Sequence, residues 1–182
     1  LKHEYINRYI NQNLDTTIID EEVRKYYEAN KSSFELKERI VQAKYIAAPV
    51  GAQKMSEAKR WFISTSQQEK FLDWAEVFAT KQSNYKDSIW VPMDDFIAEI
   101  PLDASNPYIY FDRTKKFTCE DTVLAYFVEV NDVRLEDSYS PLEYVEERVR
   151  KVLLNKRRLQ LIERIEENII EDAIEEGTLI IY

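Results

Sequence analysis

One histidine and one cysteine are all that 182 residues offer to imidazole or thiol chemistry. A zinc site of the usual kind needs three or four Cys/His ligands, and Ser-His-Asp or Cys-His catalysis needs a histidine that reaches a nucleophile. His3 falls in the first turn of a surface helix. Cys119 lies in the polar run Thr118-Cys119-Glu120-Asp121, read as a turn between two apolar segments. Those chemistries are therefore excluded, no metal or cofactor is expected, and one cysteine forms no internal disulfide. The two glycines, Gly51 and Gly177, cannot supply a GxGxxG or Walker loop. What remains is phenols: Tyr45 stands near the start of "KYIAAPV", a buried-strand pattern that stops at a proline. A phenol with a pKa near 10 donates a hydrogen bond but does not offer the tunable ring nitrogens of histidine.

Composition sets the frame for these residues. With 45% apolar and 13% aromatic content the chain can bury a core, as one domain or two small ones. Thirty-four acidic against 25 basic side chains give a formal charge of -9, a field that repels phosphate backbones, so no nucleic-acid partner is expected. No stretch approaches the roughly 20 apolar residues of a membrane span. The chain starts at Leu1 inside a helical pattern, and the expectation is a fragment or mature form. Membrane contact is then expected only through an anchor upstream of Leu1, as in a lipoprotein.

The elements follow from periodicity. Tyr5, Tyr9 and Ile10 predict a helix over 1–13, and Val23, Tyr26 and Tyr27 a second one, capped by Asp20 with Glu21 and Glu22 in its first turn. Residues 34–50 read as a strand. Two helical runs follow Gly51, the second opening on Ser66-Gln67-Gln68-Glu69 as a capping box, with Phe71, Leu72, Ala75, Phe78 and Ala79 as its buried stripe. Trp90-Val91-Pro92 is a short extended piece, 93–100 one or two helical turns, and 122–130 a strand apolar on both faces.

Ser140-Pro141-Leu142-Glu143 specifies a helix start three ways, by cap, proline and acidic third residue. No glycine or further proline interrupts the pattern to about Glu175, which predicts a rod of roughly 50 Å packed in part on the two N-terminal helices. Lys156-Arg157-Arg158, followed by Glu163, Glu166, Glu167 and Glu171, reads as a solvated, salt-bridged face. Gly177 ends the helix and 179–182 forms an extended tail.

Terminal helices around an inserted α+β unit resemble the SurA and PrsA type of extracytoplasmic foldase, in which a helical chaperone module surrounds a parvulin-like peptidyl-prolyl isomerase domain. "DEEVRKYYEANKSSFELKERIVQAKYI" resembles the entry helix, the Tyr-Tyr-x-x-Asn-x-x-x-Phe linker and the first parvulin strand. "SPLEYVEERVRKVLLNKRRLQLIERIEENIIEDAIEEGTLIIY" resembles the returning helix and last short strand of a divergent Gram-negative branch. The resemblance implies an α+β fold: a helical module of 1–36 plus 134–182, and a degenerate parvulin-like domain over 37–133.

It also implies where a catalytic site would lie. The histidine of the first parvulin strand corresponds to Tyr45. The motif Phe-Ala-x-x-x-Ser corresponds to Phe78-Ala79-Thr80-Lys81-Gln82-Ser83 and leads to Tyr85 where Asp or Cys is usual. The second histidine corresponds to Tyr126, before Phe127-Val128. Lys86-Asp87-Ser88-Ile89-Trp90 replaces a Gly-Gly-Asp-Leu-Gly segment. Met93 with Phe96 or Ile97, and Trp90, stand at the substrate-binding positions. With three tyrosines in the polar places, the resemblance implies a chaperone of the periplasm or cell envelope that binds unfolded or extended polypeptides with weak or no isomerase activity. A working isomerase using Tyr45, Tyr85 and Tyr126 is the alternative, and an assembly subunit with one dedicated partner a third.

Overall fold

The computed structural model describes residues 2–83, 89–102 and 105–175. Tyr85, Gly177 and the tail 179–182 lie outside the described residues. The chain forms two compact units, one of residues 1–34 with 145–182 and one of 35–144. The sequence boundaries were expected at 36/37 and 133/134. The sheet unit extends further because its last strand runs to Arg134 and the following chain returns, with the Leu36 amide bonding Ser138 O at 2.9 Å.

The first unit contains helices α1 (Lys2–Asn13) and α2 (Asp20–Ala29), a 3-10 turn at Lys31–Phe34, and most of a 34-residue helix that starts at Leu142 and ends at Glu175. Ile6 and Ile10 of α1 pack on Ile165 of the long helix, with Leu161 and Ile162 alongside. Asp20 does not cap α2. The Glu22 carboxylate accepts from the Ile19 amide at 3.2 Å, which leaves Asp20 to pair with Arg150.

In the basic run on the long helix Lys156 and Arg158 are exposed, while Arg157 is half-buried and salt-bridged to Asp15 and Glu22. Arg157 reaches back to the Thr17 carbonyl at 2.8 Å and forks onto both Glu22 oxygens at 2.6 and 2.8 Å. One heptad earlier, Arg150 donates to Ile18 O at 2.6 Å. The 15–20 connector has too few apolar residues to bury, so guanidinium forks satisfy its carbonyls instead.

The second unit is a five-stranded antiparallel sheet. Strand β1 (Ile40–Pro49) pairs with β5 (Leu124–Arg134), β5 with β4 (Lys116–Glu120), and the two-residue strands β2 (Lys81–Gln82) and β3 (Val91–Pro92) pair with different ends of β1. Helices α3 (Met55–Ile63) and α4 (Gln68–Phe78) cover one face, and α5 (Met93–Ala98) and α6 (Tyr108–Arg113) contribute to the cluster on the other. The long helix, α7, begins in this unit.

Strand alternation splits the core in two. Val41, Ala43, Tyr45 and Ala47 join Tyr126 and Val128 on one face, while Ala48, Ala125 and Phe127 meet Phe62, Phe71 and Trp74 on the other. Three local expectations are corrected here. Ser66 caps nothing, because its hydroxyl pairs with that of Ser64 at 3.1 Å and α4 starts two residues later. Leu72 and Ala79 are exposed, and Trp74 takes the buried place, its indole N–H bonding Gln53 O at 2.7 Å. Cys119 lies in β4 rather than in a turn, and the turn is made by Asp121, whose carboxylate accepts from the amides of Val123 and Leu124, each at 2.7 Å.

Candidate functional site

The β1–β5 register sets Tyr45 opposite Val128 and Ala47 opposite Tyr126, so the two tyrosines are diagonal neighbours on one face. Their ring centroids are 5.6 Å apart, and Phe96 meets Tyr45 edge-on at 6.0 Å. Met93, at the first turn of α5, belongs to the same cluster, with Ile97 packed against it. Trp90 does not: it packs with Leu36 and Ile40 at the far end of β1, because β3 pairs with Ile40 and Val41 rather than with the strand near Tyr45.

The cluster is closed. Tyr45 is 2% exposed, Tyr126 6%, and Met93 and Phe96 0%. The rings of Tyr45, Tyr126 and Phe96 fill the space between them. The Tyr45 hydroxyl is also committed, donating to Glu99 Oε2 at 2.9 Å at the end of α5. Burial and then that carboxylate push its ionisation well above the ordinary phenol value. Tyr126 is raised by burial and by the nearby Asp121 carboxylate, with Lys81 opposing. The Lys81 ammonium stands 5.3 Å from the Tyr45 ring and 5.8 Å from the Tyr126 ring, a cation over two aromatic faces.

Ser83 joins β2 to the same place, its hydroxyl accepting from the Tyr45 amide at 3.1 Å and its amide donating to Tyr45 O at 2.9 Å. Ser83 is the serine of the Phe-Ala-x-x-x-Ser pattern quoted from the sequence, whereas Glu99, Lys81 and Asp121 were not singled out as site residues. Nothing in their local spacing marks them, since each reaches the tyrosines only through sheet pairing or helix placement. The cluster donates hydrogen bonds and holds a cation; it has no imidazole to move a proton near neutral pH. Among the described residues no group of three His, Cys, Asp or Glu could hold a metal, and no helix is long and apolar enough to cross a membrane.

No family model matches the chain, and no curated protein matches it. Among solved structures it is similar to a chain from work on PEB4 and the periplasmic protein Cj1289, two structurally related SurA-like chaperones of Campylobacter jejuni, at 14% identity and a TM-score of 0.36, covering 100% of this chain and 71% of that one. A likeness of this size assigns no activity to the chain.

Proposed function

We propose that this chain is a chaperone-like module of the periplasm or cell envelope that binds unfolded or extended polypeptides, and that its parvulin-like unit is a scaffold with weak or no isomerase activity. The observation that carries this reading is the closed tyrosine cluster. Rotation about an X–Pro bond faces a barrier of about 20 kcal/mol, and a catalyst must receive the twisted amide in a dry recess with placed polar groups. At Tyr45 and Tyr126 the recess is filled, and the Tyr45 hydroxyl is tied to Glu99.

Apolar surface left open elsewhere supports a binding role. Leu159 and Ile170 on α7 are exposed, as are Leu72 and Val77 on α4. Such surface with polar neighbours suits weak capture of unfolded chains and needs no nucleotide. The envelope location rests on the resemblance of the chain's ends to extracytoplasmic foldases.

The test is refolding of a proline-limited substrate protein, following the slow-phase rate and the soluble yield together. An unchanged rate with a higher yield at stoichiometric amounts is expected. Acceleration at catalytic amounts overturns the scaffold reading and makes the tyrosine cluster an active isomerase site. An unchanged yield overturns the binding role.

A further inference from the structure

Where the turn after β1 meets α3 and α4, a cleft of about 420 Å³ opens, at the small end of the roughly 300–1,000 Å³ of small-ligand sites. Its lining is aromatic. Lys70, Trp74 and Phe78 follow one another four residues apart on α4, so both rings share a face with that lysine, and Trp61 of α3 joins them. Trp74 is 5% exposed and fixed, its indole N–H committed to Gln53 O at 2.7 Å and its ring centroid 5.4 Å from that of Phe78. Trp61 is half-buried against the same core, and among the described residues its N–H has no hydrogen-bond partner. The cleft thus offers ring surface together with an uncommitted donor.

Three charged side chains line it as well: Lys54, Lys70 and Asp73. Among the described residues none of the three is held in an ion pair or hydrogen bond. Two ammonium groups against one carboxylate leave one positive charge in excess, on a chain whose net charge is -9. Lys54 stands here with φ 58°, in the left-handed region that glycine enters freely and a lysine enters at a cost. Its side chain makes no cap to α3 that would account for it.

We infer that the cleft binds a planar aromatic monocarboxylate, its ring among Trp61, Trp74 and Phe78 and its carboxylate held by the cleft's lysines, with the Trp61 N–H as a further donor. Offset-stacked and edge-to-face contacts favour a flat π-system beyond its apolar area, a gain that a saturated ring or an alkyl chain does not make. The single excess charge suits a monoanion, whereas a dianion meets the Asp73 carboxylate at closer to full strength. Ring and head act together, since an exposed ion pair alone adds little. The ligand is a small molecule, and its binding is independent of the polypeptide capture proposed above.

The test is a proton–nitrogen NMR titration of the full chain with naphthoate, following the indole N–H signals of its three tryptophans. Naphthylmethylammonium keeps the ring and reverses the head charge, and cyclohexanecarboxylate keeps the head without the π-system. Saturable shifts at the Trp61 and Trp74 indoles and at the amides of 53–54 and 70–78 are expected with naphthoate, with Trp90 unmoved. Either control is expected to bind at least ~10-fold more weakly. Lys54→Gly removes the ammonium and relieves the left-handed backbone, so it is expected to weaken binding ~3-fold while the urea midpoint holds or rises. Lys70→Ala is expected to weaken binding by a similar factor, and Asp73→Asn to strengthen it ~3-fold. Equal binding of either control, a Trp90 shift as large as those of Trp61 and Trp74, no saturable shift, or an affinity unchanged in both lysine variants each overturns the inference.

Discussion

The Tyr45 hydroxyl donates to Glu99 Oε2 at 2.9 Å across 54 residues of chain, joining the middle of β1 to the end of α5. The Tyr45 phenol is thus a structural tie. Tyr45→Phe keeps the ring and removes the tie. A hydrogen bond to a charged acceptor is worth roughly 1.5–3 kcal/mol, and partial access of water to this one reduces that to about 1–2 kcal/mol. Urea unfolding is expected to show a loss of this size, with the slow-phase rate of a proline-limited substrate unchanged; a change in that rate would give the hydroxyl a catalytic role.

Alkaline pH is expected to unfold the protein early. Tyr45 and Tyr126 are raised above the ordinary phenol value of 10.0, mainly by burial, and Tyr108 is raised by its bond to Asp94. Above pH 10 the unfolded chain releases these protons while the folded chain keeps them, so unfolding is favoured as pH rises. Stability from these groups is intact below about pH 10 and declines above it. Urea midpoints measured from pH 8 to 11 should fall only in the upper part of that range. Tyrosinate absorbance should lag for the buried phenols until unfolding releases them together.

The Cys119 thiol is expected to be inert. Burial, helped by Asp121 and Glu120, raises it from 9.0 to about 11. At pH 8 it then holds about a hundredth of the usual thiolate, and labelling by a disulfide reagent should be at least ~100-fold slower in the folded protein than in urea. Equal rates in both states would show that β4 opens readily.

Arg157 is expected to tolerate no lysine. The ammonium keeps the charge but cannot fork onto Glu22 while reaching the Thr17 carbonyl. The carbonyl bond alone contributes about 1 kcal/mol. Arg157→Lys should therefore lower the unfolding midpoint with little change in m, and the neighbouring Arg158 should not compensate.

Much of this architecture was legible from local pattern. The uninterrupted run of α7 from Leu142 to Glu175, and the burial of Tyr45 in β1, follow from periodicity and alternation. What escaped depended on partners distant in sequence. Leu72 and Trp74 both fit a helical apolar stripe, and only the position of the sheet decides that the indole is covered and the leucine is left in a groove. Cys119 looked like a turn residue because Glu120 and Asp121 follow it, yet an edge strand tolerates polar residues at its end. Arg157 sits in a run that local charge pattern assigns to solvent, and its carbonyl acceptors are 140 residues or more away in the chain. Glu99 gave no signal for the same reason, and Tyr85 lies outside the described residues.

The arginine forks of α7 also set a timetable for synthesis. Arg150 and Ile18 are separated by 132 residues, and Arg157 and Glu22 by 135. At roughly 5–20 residues per second, a ribosome needs about 7–26 s to deliver Arg150 after Ile18. For that interval Ile6 and Ile10 have no Ile165 to pack on, while the sheet unit of residues 35–144 can already be folding. Residues 1–34 are thus made before the sheet unit and complete their packing after it, so a newly made chain holds the apolar face of α1 uncovered for that time.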